Sequence, residues 1–400
     1  MSVQQQFLSD AKNLLPDVIS VRRAIHREPE IGNDLPLTKQ KVLDALAGIE
    51  LDYVFSEKTS GIVATMNADK NGPTILLRGD MDALPMPEDT GLEYSSKFEG
   101  RMHACGHDAH TAMLVGAVKL LDKHRDRLPG AVKFMFQPGE EGYQGAKVML
   151  DEGVIEKGRD PDAVFGLHVA PNRKSGTIMS KPGPILAAAD TFFIKLIGAG
   201  GHGSRPHLSN DPVPVACQLV QSMQTFVTRN INAFDPVVLT VGRIAAGTVN
   251  NVIPETAELE ATLRSFSPEA RERSHKGVTQ LAENIAAAHD MKAEVGLKLG
   301  YPTTINNAEF YKFMENSVIN LLGEDGFSEM PAPLMAAEDF SYILQRYKGA
   351  FAVIGCAPEG VEPHCAHNCH SNRMLIDEDA MAIGVATHAA IAYDFLTANG

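Results

Sequence analysis

Basic charge is in short supply in this chain: 36 Lys and Arg stand against 50 Asp and Glu, a net charge of −14. Phosphate recognition needs a basic patch, so nucleic acid is not expected as a partner. Long apolar runs are missing as well. None approaches the roughly 20 residues of a membrane span, so no membrane partner is expected either. The N-terminal stretch MSVQQQFLSDAKNLLPD is polar, with Phe7, Leu8, Ala11, Leu14, Leu15 and Val18 at helical spacing. That pattern reads as an amphipathic helix rather than a signal peptide. Cysteine is sparse and odd in number, five in 400 residues. Such usage suits a reducing compartment, and a cytoplasmic enzyme is the expectation. Internal repeats and low-complexity segments are absent.

Four hundred residues exceed what one core usually holds, which predicts two domains. Apolar segments at 74–77, 132–136, 163–167 and 351–354 read as buried strands, with helical patterns at 109–121 and 146–154 between the first three. Alternating strands and helices predict an α/β fold with a mixed, mostly parallel sheet. Residues capable of chemistry follow these strands: Asp80 and Asp82, then Glu140 and Glu141, then His168. Open α/β sheets carry their sites beyond the carboxyl ends of their strands. The pattern changes between about 186 and 297. Strands at 191–197, 237–244, 257–266 and 292–299 and helices at 212–229 and 268–289 give the order βαββαβ, that of a ferredoxin-like unit. The expected organisation is therefore a discontinuous catalytic domain, 1–185 and 298–400, with an inserted domain at 186–297.

Three short segments read as one metal site: HACGHDAH at 103–110, QPGEEG at 137–142 and GLHV at 166–169. Crowding imidazoles, a thiol and a carboxylate into 103–110 would be costly in a core without a metal or a hydrogen-bond network. Cys105, His107, Glu141 and His168 are the candidate ligands. Asp108 is expected to orient a ligand histidine, since such histidines usually donate their other N–H to a carboxylate. His103 and His110 are read as support for the ligands. Adjacent glutamates on a turned backbone point to different sides, so Glu141 can hold metal while Glu140 faces the water to be activated. The segment HCAHNCH, 364–370, offers His364, Cys365, His367, Cys369 and His370 as further donors, and spacing does not choose among them. A separate structural zinc site involving Cys356 is a second reading of the same residues. The stretch Gly198 to Gly203 matches GxGxxG, but no acidic residue lies about 20 positions on, so it reads as a turn presenting His202 rather than a nucleotide site.

With those residues set out, the chain resembles the aminoacylase/carboxypeptidase family of metal-dependent amidohydrolases, especially the branch of hippurate hydrolases and plant indole-acetyl-amino-acid hydrolases. The motifs carrying the resemblance are RRAIHREPE (22–30), RGDMDALP (78–85), HACGHDAH, QPGEEG, GLHV, GGHGSRPH (200–207), NVIPE (251–255) and AEDFSY (337–342), with a terminal histidine. The resemblance implies a zinc-peptidase-like catalytic domain and a lid that also mediates a homodimer or larger homo-oligomer. It implies one or two divalent ions (zinc, manganese, cobalt or nickel) held by Cys105, His107, Glu141, His168 and a late histidine. His370, followed by the acidic pair Asp377 and Glu378, matches the family pattern for that last ligand. By the same correspondence Glu140 is the general base, and His202 stabilises the oxyanion in the partner subunit's site. Asn251 and Arg264 would hold the substrate, and Asp82 would support the metal from behind. Two departures stand out: Asp34 and Leu35 replace a pair of glutamates, and cysteines flank the last histidine. The implied reaction is hydrolysis of the amide in a small-molecule N-acyl amino acid. A metallo-dipeptidase or carboxypeptidase is the near alternative, and a non-catalytic metal-binding protein the remote one.

Overall fold

A computed structural model describes residues 2–400, which divide into two compact units. The first comprises residues up to Ile185 together with Ile305–Ala332 and Asp339–Gly400. Its centre is an eight-stranded sheet in the spatial order Asp52–Phe55, Ile62–Met66, Ala131–Gln137, Thr74–Asp80, Ala163–Ala170, Gly349–Gly355, Ile178–Ser180 and Phe327–Glu329. The four middle strands, from Ala131–Gln137 to Gly349–Gly355, run parallel, and antiparallel neighbours flank them. The predicted strands are thus present, each a few residues longer than its apolar run. Strands covered on both faces read as continuous hydrophobic runs, and Thr74–Asp80, Ala131–Gln137 and Gly349–Gly355 are buried at every residue.

The helices over this sheet follow from their patterns. Val3–His26 buries Phe7, Ala11, Leu14, Val18 and Ile25, the stripe a 3.6-residue period selects. His107–Lys123 runs beneath it. Ala380–Asn399 qualifies the statement that no apolar run approaches a membrane span. It is long and apolar enough to cross one, but 72% of its most apolar window is buried inside this unit, where it packs as a core helix.

The second unit comprises Leu186–Thr304 and Pro333–Glu338. Its strands Val237–Ala246, Thr256–Ser265, Ala188–Ile197 and Lys292–Leu299 lie side by side in that order, all antiparallel. That is the ferredoxin-like arrangement expected from the βαββαβ order. Alternation along Thr256–Ser265 is strict, with Ala257, Leu259, Ala261 and Leu263 buried. Two helices cover that face, Pro212–Asn230 and Pro268–Ala288, whose Leu219, Met223, Val278 and Ala282 complete the core. Both begin with proline after a capping residue: Asp211 accepts from Val213 N (3.0 Å) and Ser267 from Ala270 N (3.0 Å).

Candidate metal centre and active site

The chemistry-bearing residues converge at the carboxyl edge of the parallel strands. Asp82 follows Thr74–Asp80, Glu140 and Glu141 follow Ala131–Gln137, and His168 lies near the end of Ala163–Ala170. Cys105 and His107 arrive from the loop that opens the helix His107–Lys123. Gly106 between them makes this approach possible. Its φ of +80° is left-handed, and a Cβ there would stand 2.3 Å from Val169 Cγ2, beside His168.

Side-chain donors gather in overlapping groups whose atoms all lie within 4.8 Å of one another: Cys105, His107 and His168; Cys105, Glu141 and His370; His107, Glu140 and Glu141. Cys105 Sγ is 3.5 Å from His168 Nε2, and His370 Nε2 is 3.0 Å from Glu141 Oε1. His370 reaches its position in a left-handed backbone conformation, φ +68°, uncommon for a residue with a side chain. Among the described residues, His364, Cys365, His367 and Cys356 join no comparable group, which leaves the separate zinc site without support.

The donor set fits a divalent cation. His168 donates Nδ1–H to the Val169 carbonyl (2.7 Å), which leaves the Nε2 lone pair facing Cys105. His107 is fully buried and neither ring nitrogen has a hydrogen bond; the carboxylates of Asp82 and Asp80 stand 3.3 and 3.5 Å away. Burial opposes charge on His107, yet Asp80, Asp82 and Glu141 together raise its pKa well above the ordinary range. Burial likewise opposes charge on Glu141, but the contact with His370 and the field of His107 hold its pKa low. The pocket therefore favours positive charge, and a bound cation would supply it.

The supporting residues differ in part from expectation. Asp108 does not orient a ligand histidine. Successive helical residues point about 100° apart, so Asp108 leaves the side of His107 and pairs with His26 Nδ1 (2.8 Å) and Arg22 Nε (3.0 Å). Asp82 takes the supporting place: its two oxygens accept the backbone N–H groups of Glu140 and Glu141, both at 3.0 Å. Its Oδ1 is also the atom facing His107 Nδ1. His110 is committed elsewhere. It donates Nδ1–H to Asp80 (2.6 Å) and accepts Val169 N–H at Nε2 (2.8 Å), tying the helix to the strand of His168. His103 is buried without a hydrogen bond, and burial lowers its pKa to about 3.

Sequence reasoning missed a buried network beneath Glu140. The Arg78 guanidinium, 1% exposed inside a nominally apolar strand, meets Asp80 (2.6 Å), Gln137 (2.9 Å) and Asp339 (3.3 Å). Asp339 accepts from Gln137 Nε2 (2.6 Å) and Ala146 N (2.9 Å), while its own N–H reaches Glu140 Oε1 at 3.4 Å. The available signal was two charged residues in strongly patterned places, Arg78 ending an apolar run and Asp339 in AEDFSY. Also missed was the neighbourhood of Cys105 and Cys369, whose interaction pulls the Cys369 pKa below its usual range and raises that of Cys105.

The other expected site residues belong to the second unit. His202 is exposed in the short pairing of Gly201–His202 with Val252–Ile253, and its Nδ1 accepts from Ser204 N (3.1 Å). Asn251 adjoins it, its carbonyl accepting from Gly203 N at 2.8 Å. Arg264, half-buried on Thr256–Ser265, donates to Thr262 Oγ1 (2.8 Å) and the Leu263 carbonyl (3.3 Å).

A mixed sheet with an oxygen, nitrogen and sulfur donor cluster at its carboxyl edge is the architecture of a metallopeptidase. The chain belongs to peptidase family M20/M25/M40, whose family model matches residues 76–394. It is 34% identical over 400 residues to thermostable carboxypeptidase 1 of Saccharolobus solfataricus, spanning 99% of each chain. It is 36% identical over 409 residues to IAA-amino acid hydrolase ILR1-like 2 of Arabidopsis thaliana, spanning 98% of this chain and 89% of that one. Among solved structures it is similar to the Bacillus subtilis YXEP protein, a dinuclear metal binding peptidase from the M20 family. That match has 31% identity and a TM-score of 0.82, over 96% of this chain and 99% of the other. The family resemblance and the α/β fold expected from the sequence are both borne out.

Proposed function

We propose that this chain is a metal-dependent amidohydrolase that cleaves the amide joining an acyl group to an amino acid. The observation that carries the reading is a carboxylate to spare: Glu140 lies within 4.8 Å of the donor atoms of His107 and Glu141, while other side chains suffice to hold an ion. A purely structural metal site has no use for such a base. Cys105, His107, Glu141, His168 and His370 would hold one or two divalent ions, with zinc, manganese, cobalt and nickel all compatible with a mixed donor set. Such an ion supplies Lewis acidity, polarising a carbonyl and lowering the pKa of a water molecule it binds.

The chain's own residues then divide the work. Glu140 Oε takes a proton from the attacking water and returns it to the departing amine nitrogen. Asp82 fixes the backbone of both glutamates, so base and ligand keep a constant separation. The Ser204 N–H directed at His202 Nδ1 places the imidazole proton on Nε2, the form that donates to a developing oxyanion. We assign His202 that role in the partner subunit's site of a homodimer or larger assembly formed through the second unit. Asn251 and Arg264 are assigned to the substrate's carboxylate or carbonyl. A thiol donor calls for a reducing compartment, and the cytoplasm is the proposed location.

The relative named as a carboxypeptidase favours a second reading, hydrolysis of peptides, among them dipeptides whose free α-amine the pocket would have to accept. The test is free-amine release from matched panels of N-acyl amino acids and unblocked dipeptides, using metal-stripped protein with and without added divalent ions. Metal-dependent release from the acylated panel is expected. Release confined to dipeptides would select the second reading, and no release from folded, metal-loaded protein would refute both. Glu140→Gln is expected to keep metal and lose turnover; retained turnover would remove Glu140 from its role.

A further inference from the structure

Cys369 sits beside the metal centre without belonging to it. It appears in none of the donor groups, yet its backbone segment is tied to that of Cys105, the donor shared by two of them. The backbone brings the pair together. His370 N donates to the Ala104 carbonyl at 2.6 Å, so the segment 369–370 lies directly along 104–105. A disulfide requires ~4.4–6.8 Å between Cα atoms, a spacing that two backbone segments joined by a hydrogen bond can meet. Cys369 Sγ also lies 3.9 Å from the Val169 carbonyl, on the same side as His168, which Cys105 faces. Both cysteines are half-buried and unpaired.

We propose that Cys105 and Cys369 are a redox modification site: their thiols close to a reversible disulfide that withdraws Cys105 from metal binding. The proposal rests on Cys105 being a metal ligand. The chemistry balances with a peroxide as oxidant. Peroxide oxygen takes two electrons and the O–O bond breaks, so one thiol becomes a sulfenic acid and one water leaves. The second sulfur then attacks the first, the S–O bond breaks, and a second water carries off the remaining oxygen and protons. A dithiol reductant reverses the result by exchange. Because Cys105 serves two donor groups, its loss weakens both.

The experiment treats metal-free protein with hydrogen peroxide and follows three readouts: free thiols, the mapped disulfide-linked peptides, and affinity for zinc by chelator competition. The expected result is loss of two of the five free thiols and a mapped Cys105–Cys369 link. Zinc affinity should fall by at least about tenfold, no less than losing a residue that merely supports a ligand, and dithiothreitol should restore it. Prior loading with zinc is expected to slow the reaction. Cys369→Ala should bind zinc like the wild type but show no dithiothreitol-reversible loss of affinity. Several results would overturn the proposal: both cysteines left reduced, a link from either to Cys356 or Cys365, or the mapped link with zinc affinity unchanged. Cys105→Ser separates this idea from the reading beneath it. If that variant binds zinc as the wild type does, the ligand assignment fails, whereas the mapped link tests the pairing without any metal present.

Discussion

Replacing Asp82 with asparagine tests how the centre is held in place. The native carboxylate receives two backbone N–H groups, from Glu140 and Glu141, each at 3.0 Å. It is fully buried, and water does not compete for its bond to Glu140 N. An asparagine keeps one carbonyl oxygen and turns an NH2 group toward the other N–H. One charge-assisted hydrogen bond is lost, about 1.5–3 kcal/mol, and the buried N–H left behind costs about 1–3 kcal/mol. Relaxation of the Gly139–Glu141 turn would recover part of this, leaving roughly 2–4 kcal/mol. That relaxation moves Glu140 and Glu141 together. Loss of a buried residue that supports a ligand typically costs 10–100-fold in metal affinity, and a shift of about 1 Å in a catalytic group costs on the order of 100-fold in rate. Urea unfolding of metal-free protein measures the first quantity. Chelator competition and kcat on saturating N-acyl substrate measure the other two. An Asp82→Asn protein with unchanged urea midpoint and metal affinity within threefold of wild type would refute the reasoning, because the two hydrogen bonds would then hold nothing.

Two further outcomes follow from the same geometry. Gly106→Ala combines a left-handed φ with a methyl 2.3 Å from Val169, and should lower stability by about 2–4 kcal/mol and weaken metal binding; a full-length urea transition matching wild type would contradict it. His26 should make stability fall with rising pH. Burial opposes its charge, but Asp108 and Glu88 prevail over burial and the nearby Arg22, raising its pKa from 6.5 to about 9. Tyr94 and His103 complete its surroundings. A raised folded-state value contributes stability that is full below pH 6.5 and is lost as pH climbs toward 9, at most about 3 kcal/mol. Urea midpoints of metal-free wild type and His26→Gln across pH 6–9 check this, and an equal slope in both proteins would dismiss His26 as its source.

Much of the fold was legible because its signals are local. Buried parallel strands announce themselves as apolar runs, the second unit's half-exposed strands as strict alternation, and its helices as a capping residue followed by proline. The candidate ligands were legible for a different reason: imidazole, thiolate and carboxylate side chains crowded at strand ends have few structural uses. Direction and partnership were not legible. Asp108 adjoins His107 in the chain, and its turn away toward Arg22 and His26 depends on which helix face meets Val3–His26. Asp82, 58 positions before Glu140, takes up both glutamate amides only because the two strands lie side by side.

The sequence by itself determined the α/β class, the ferredoxin-like second unit and the kind of chemistry on offer, since periodicity and residue type carry that information along the chain. Tertiary structure decided which donors meet. It set His370, and not His364 or His367, against Glu141, buried Arg78 among Asp80, Gln137 and Asp339, and tied His370, next to Cys369, to the Ala104 carbonyl, next to Cys105. Those contacts join residues up to some 260 positions apart. No local pattern encodes them, because they depend on strand order, helix rotation and a left-handed turn that only the packed chain fixes.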